Sequence, residues 1–123
     1  MITGRVSSAQ EAIIPLQVLG PGHQQINIDA VIDTGFNDYL TLLPLQVAAL
    51  SLPQQAVLRA TLGDGSIATL PVYSATILWD GQMRSIEVLA TNSGPLIGTA
   101  LLYGHRVTID MVDGGKVTIE TLP

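Results

Sequence analysis

Ala30-Val31-Ile32-Asp33-Thr34-Gly35-Phe36-Asn37-Asp38-Tyr39 sets the architecture of this chain. An apolar run meets an acid, a hydroxyl residue and a glycine, and then a polar turn. A carboxylate at the end of a buried strand is unfavourable unless something uses it. Gly35 permits a sharp turn and the close approach of another backbone. Thr34 supplies a compact hydroxyl that can donate and accept at once. The pattern is that of an acid held rigidly at the mouth of a β-fold.

Upstream, Ile26, Ile28, Ala30 and Ile32 alternate with Asn27, Asp29, Val31 and Asp33. That is the period of a strand with one buried face. Ala12 to Leu19 is a second strand, apolar on both faces, joined to the first by the turn Gly20-Pro21-Gly22-His23. The hairpin delivers Asp33 at its far end. Pro15 marks an edge or a bulge. Ile2 to Val6 forms a short strand before it.

Downstream, Leu40 to Leu43 is a short strand and Pro44 opens a helix through Leu50. Ala56 to Leu62 and Ile67 to Leu78 flank Gly63-Asp64-Gly65-Ser66, a strong hairpin turn signal. Trp79-Asp80-Gly81-Gln82 turns again into a strand over Met83 to Ala90. Thr91 to Pro95 is loop. Leu96-Ile97-Gly98-Thr99-Ala100-Leu101-Leu102 follows, then a strand over Arg106 to Val112, the turn Asp113-Gly114-Gly115 and a strand over Lys116 to Thr121. Many short strands at close spacing predict an all-β, closed or sandwiched fold with one or two short helices.

The 123 residues are expected to form a single domain, 1–123. The chain is 47% hydrophobic and only 12% charged, with a mean hydropathy of +0.43. Surplus apolar surface is most simply used at a subunit interface. A net charge of −5 should repel a phosphate backbone, which argues against nucleic-acid binding. No basic amphipathic stretch suggests a membrane surface. The longest apolar reach, Leu40 to Leu50, is too short to span a bilayer. Cysteine is absent, so there is no disulfide framework and no thiol chemistry. That suits a reducing compartment, and a cytoplasmic location is expected. Met1 to Gln10 lacks an apolar signal core, and with no recognisable pro-segment the chain is expected to act as written.

Asp33-Thr34-Gly35 resembles the active-site triplet of the pepsin and retropepsin aspartic proteases. The wider string, from Val31 through Phe36 to Leu42, resembles a small prokaryotic retropepsin-like family with Asp-Thr-Gly-Phe at its core. Leu96-Ile97-Gly98 resembles the two-hydrophobics-then-Gly signature that retropepsins carry downstream, and the interval from Asp33 is close to the family's usual one. With the hairpin turn between them, three landmarks fall in family order, over roughly Ala12 to Glu120.

The resemblance implies a closed retropepsin-like β-barrel, one lobe of an acid-protease fold, acting as an aspartic endopeptidase on peptide or protein substrates without metal or cofactor. That chemistry needs two carboxylates sharing one proton, and this chain has one such triplet. A homodimer would therefore supply the second Asp33. Asp33 would be the catalytic acid, Thr34 would bond across the twofold axis, and Gly35 would keep the loop tight. Leu96, Ile97 and Gly98 would pass behind the active-site loop. Gly63, Asp64, Gly65 and Ser66 would form a flap over the substrate. Phe36 stands where viral members have a small residue and could narrow a substrate pocket. Thr99 and Asn37 stand where those members carry an arginine and an acid, so a supporting ion pair is replaced by two neutral residues.

Other candidates carry less. Asp29 and Asp38 read as solvent-face or turn acids. His23 and His105 lack ligand spacing for a metal. Ser7, Ser66 and Ser93 lack a nucleophile elbow. Trp79 reads as a core or interface ring. Two alternatives stay open: a non-catalytic dimerisation or peptide-binding module on the same fold, and a structural subunit of a larger assembly.

Overall fold

The computed structural model describes residues 1–61 and 63–123. Among them the chain forms ten strands and two short helices. In order these are β1 (Ile2–Val6), β2 (Ala12–Leu19), β3 (Gln25–Ile32), β4 (Leu40–Leu42), α1 (Pro44–Ala49), β5 (Gln54–Thr61), β6 (Ile67–Trp79), β7 (Gln82–Ala90), β8 (Leu96–Ile97), α2 (Thr99–Leu102), β9 (His105–Ile109) and β10 (Lys116–Thr121).

The strand order is β5-β6-β7-β4-β8-β3-β2-β1-β10-β9, and β6 also pairs with β2. The six strands from β2 to β6 along this order therefore close on themselves as a barrel. Its pairings are mixed: β3 with β8 and β4 with β7 are parallel, and the others are antiparallel. β5 extends from β6 as a hairpin, and β1, β10 and β9 form an arm beyond β2.

Alternation along the strands fills the core. On β2, Ala12, Ile14, Leu16 and Val18 are buried, and on β3 Ile28 and Ala30 are. Leu40 and Leu42 of β4, Ile77 of β6, Val88 of β7 and Ile97 of β8 are fully enclosed. Burial of each such side chain contributes about 1.5–3 kcal/mol. Leu101, from α2, closes one part of the core and Leu50, just past α1, another. Helix α1 starts as its sequence predicts, with Pro44 at its first position and the Gln46 Oε1 accepting the Leu43 N–H at 2.9 Å.

Several boundaries differ from the sequence reading, each for a local reason. The strand expected over Arg106 to Val112 ends at Ile109. There the chain folds back: the Asp110 N–H donates to the Lys116 carbonyl, and the Gly115 N–H to the Val112 carbonyl. Any Cβ at Gly115 would collide with the Asp110 carbonyl. Trp79 closes β6 opposite Gln82, and Asp80 and Gly81, at φ 52° and 79°, make a two-residue hairpin turn. β5 starts two residues early, with a register irregularity between Gln54 and Ala56. The expected end of this strand at Leu62 lies outside the described residues. Pro15 sits between two partner segments of β2, which pairs with β1 at Ala12 and Ile13 and with β6 from Gln17. Pro15 itself pairs only with Asp29 on β3, so its missing N–H falls at a local edge. Among the described residues no helix is long and apolar enough to cross a membrane.

Candidate active site

Strand β3 ends at Ile32, and Asp33 is the first residue beyond it. Its side chain is half-buried. The carboxylate Oδ1 accepts the Gly35 N–H at 2.9 Å, and the Asp33 carbonyl accepts the Phe36 N–H at 3.1 Å. The triplet is thus a tight turn wound around its own acid. A Cβ at Gly35 would approach Asp33 Oδ1 to 3.2 Å, so the carboxylate would have to give way by a few tenths of an ångström. Thr34 and Gly35 are exposed, on the open side of the turn.

Four main-chain hydrogen bonds tie this loop to the segment around β8 and α2. The Asp33 N–H donates to the Ile97 carbonyl at 2.9 Å. The Gly98 N–H donates to the Tyr39 carbonyl at 3.1 Å, the Thr99 N–H to the Phe36 carbonyl at 2.8 Å, and the Ala100 N–H to the Asp38 carbonyl at 3.2 Å. The Thr99 hydroxyl adds a weaker contact to the Phe36 carbonyl at 3.4 Å. Every one of these bonds is uncharged. Thr99 thus meets the loop through the Phe36 carbonyl, and no ionised side chain takes part in any of the four bonds.

Gly98 is where the two segments come closest. A Cβ there would fall onto the Asp38 carbonyl oxygen, 2.6 Å from Phe36 Cδ2 and 2.7 Å from the Phe36 carbonyl oxygen. Only glycine lets the backbones meet at this separation. The half-buried Phe36 ring packs against this point, so part of it supports the loop from behind.

Asp33, Thr34, Gly35 and Phe36 are therefore brought together with Leu96, Ile97 and Gly98. Gly63, Asp64, Gly65 and Ser66 lie at the tip of the β5–β6 hairpin. No hydrogen bond among the described residues joins that tip to the Asp33 loop. The tip has its own order: Asp64 Oδ1 accepts the Ser66 hydroxyl at 2.6 Å and the Ser66 N–H at 2.9 Å. The hydroxyl first, and the N–H after it, hold the Asp64 carboxyl below its usual range.

Other residues singled out from sequence have structural partners. Trp79 is buried and its indole N–H donates to His105 Nε2 at 3.1 Å, with the rings edge-on. His105 Nδ1 faces the carbonyls of Leu102 and Tyr103 at 3.2 and 3.0 Å. An indole only donates and a carbonyl only accepts, so the neutral imidazole with its proton on Nδ1 is the form that satisfies both sides. The Arg84 guanidinium lies 5.8 Å from the Tyr39 ring centroid. Tyr39 also borders a shallow cleft with Gln55, Ser74, Ser85 and Glu87 that does not include Asp33.

Sequence reasoning passed over Thr41. It is almost fully buried, at 2% exposure, inside the apolar run Leu40-Thr41-Leu42. Its hydroxyl donates to the Gly94 carbonyl at 2.8 Å and accepts the Leu96 N–H at 2.8 Å. A lone hydroxyl in a buried apolar strand was the available signal, because such a group needs partners.

No protein-family model matches the sequence, and no curated protein does. Among solved structures the chain is similar to a retropepsin-like aspartic protease from Rickettsia conorii, with a TM-score of 0.59 and 10% identity. The match covers 99% of this chain and 92% of that one. The fold is retropepsin-like, a mostly stranded closed barrel with two short helices.

Proposed function

We propose that this chain is a single catalytic domain, residues 1–123, two copies of which form an aspartic endopeptidase. The observation that carries the proposal is Asp33: a lone acid at the end of a barrel strand, in a loop bonded four times to the Gly98 segment. One carboxylate cannot both activate water and donate a proton to the substrate. Two copies related by a twofold axis would place the second Asp33 beside the first. Two carboxyls a hydrogen bond apart share one proton and titrate as a pair.

In the reaction, the ionised Asp33 takes a proton from a bound water, and that water attacks the scissile carbonyl. The protonated Asp33 of the second copy gives its proton to the carbonyl oxygen. The tetrahedral intermediate collapses as the amine nitrogen takes a proton from the first acid, the C–N bond breaks, and the now ionised second Asp33 takes a proton back from one of the two hydroxyls to leave a carboxylic acid. Thr34 and Gly35, exposed on the open side of the loop, would face the other copy and the substrate backbone. The substrate would lie extended between the two lobes, held mainly by main-chain hydrogen bonds. That arrangement accounts for a single lobe whose shallow cleft beside Tyr39 excludes Asp33: the substrate channel would form between copies. The β5–β6 hairpin, with its tip at Gly63 to Ser66, would act as the flap.

The test is cleavage of an unstructured protein across about pH 3 to pH 8, wild type beside Asp33→Asn. Wild-type cleavage that is strongest on the acid side, lost in the variant with the melting temperature retained, is the expected outcome. Specific activity should also fall on dilution as the dimer dissociates. A wild type that dimerises yet cleaves nothing anywhere in that range would replace this proposal with a non-catalytic peptide-binding or dimerisation module.

A further inference from the structure

We infer that Thr41 is a positioning residue for Asp33, acting through β8; the inference rests on the proposed role of Asp33. Strand β8 is only two residues long, and the loop before it begins at Thr91. On one side it is read by β3: the Val31 N–H donates to the Pro95 carbonyl at 3.0 Å, and the Asp33 N–H to the Ile97 carbonyl. On the other side it meets β4 antiparallel, with Leu40 opposite Ile97. The Gly98 N–H to Tyr39 carbonyl bond marks one rung of that ladder. Two residues along, the same register sets Thr41 opposite Leu96.

There the Thr41 side chain adds a contact of its own to the ladder. The Leu96 N–H donates to the Thr41 hydroxyl, and the hydroxyl donates in turn to the Gly94 carbonyl. On its other edge β4 runs parallel to β7, with Thr41 beside Leu89. Thr41 thereby satisfies one donor and one acceptor of the segment from Gly94 to Leu96. The chain of contacts runs from the hydroxyl to Leu96, from Leu96 to Ile97, and from the Ile97 carbonyl to the Asp33 amide. Thr41 touches neither substrate nor the reacting atoms in this arrangement.

Amide exchange and turnover of the wild type and two variants test the inference: Thr41→Val keeps the shape and removes the hydroxyl, and Thr41→Ser keeps the hydroxyl. In Thr41→Val the Leu96 and Asp33 amides should exchange at least about tenfold faster, while amides of β2 and β6, the barrel strands that border neither β4 nor β8, keep wild-type rates. Turnover should fall by a similar factor with KM little changed, and Thr41→Ser should restore both. A residue with only a general stabilising role would speed exchange throughout the barrel. That uniform result, unchanged Asp33 exchange in Thr41→Val, or Thr41→Ser as defective as valine would overturn the inference. The exchange arm needs no activity, so an inactive wild type would defeat the proposed protease while this placement of Asp33 is still decided. Should Thr41→Val fail to fold, Thr41→Ser decides alone: wild-type exchange at Asp33 supports the inference, and a tenfold rise refutes it.

Discussion

Replacing Gly98 by alanine is the sharpest perturbation of the candidate site. The added Cβ would overlap the Asp38 carbonyl oxygen and stand 2.6 and 2.7 Å from Phe36 Cδ2 and the Phe36 carbonyl oxygen. Two of those three atoms are backbone and cannot swing aside as a side chain end would. They belong to the loop that the Gly98, Thr99 and Ala100 amides hold. Relief therefore requires the Asp33 loop and the β8–α2 segment to separate, stretching bonds now between 2.8 and 3.2 Å. Overpacking of this kind costs about 1–3 kcal/mol, and contact with fixed backbone argues for the upper part of that range. At roughly 4 °C per kcal/mol for a domain of this size, the melting temperature should fall by about 8–12 °C. The natural control is Gly94→Ala. Gly94 has a φ of +86° and open space around its missing Cβ, so alanine there meets no neighbour and suffers only the left-handed backbone. That costs about 1–2 kcal/mol, or roughly 4–8 °C. Scanning calorimetry of the two variants separates the mechanisms, and cleavage of an unstructured protein reads the site. Gly98→Ala should lose more than 90% of activity below its own melting point, since a misplacement of about 1 Å can cost about a hundredfold in rate. If Gly98→Ala melts within about 2 °C of wild type, the two segments are not in the close contact on which the site depends.

Three further outcomes are expected. In the β5–β6 hairpin tip, the Ser66 hydroxyl and N–H depress the Asp64 pKa, so this turn is favoured above the ordinary carboxylate range and loosens as pH falls through the lowered value. Ser66→Ala should move that titration upward, followed by carboxyl carbon chemical shift, and a titration that stays put would show that the hydroxyl is not the main cause. His105→Ala should leave the buried Trp79 indole N–H without its acceptor and destabilise the chain by about 1–3 kcal/mol. Because Trp79 is the sole tryptophan, its emission reports the change directly, and unaltered emission with unaltered stability would refute the contact. Asp33→Asn should melt at or above the wild-type temperature, since the turn around Gly35 survives the change and a half-buried charge is removed; a large loss of stability would mean that Asp33 is a structural acid.

The sequence by itself determined which residues turn and which are buried, because both are local matters. Alternation along Ile26 to Ile32 put Asp33 at a strand end, and the Gly-rich turns marked where strands reverse. Those features also carried the likeness to retropepsins, through Asp33-Thr34-Gly35 and Leu96-Ile97-Gly98. Pairing was decided only by the tertiary structure. Strand β4 has three residues and β8 two, too few for any periodicity to specify a partner, and both form through contacts with chain some fifty residues away. Hence the parallel pairings of β3 with β8 and β4 with β7, the bridge from the Thr41 hydroxyl to Gly94 and Leu96 and the ring of Trp79 bonded to His105 lay beyond local pattern. The same holds for the early end of β9, where the Asp110 to Gly115 turn prevails over the strand character of Met111 and Val112. A side chain's propensity is its own, but its hydrogen-bond partner belongs to the fold.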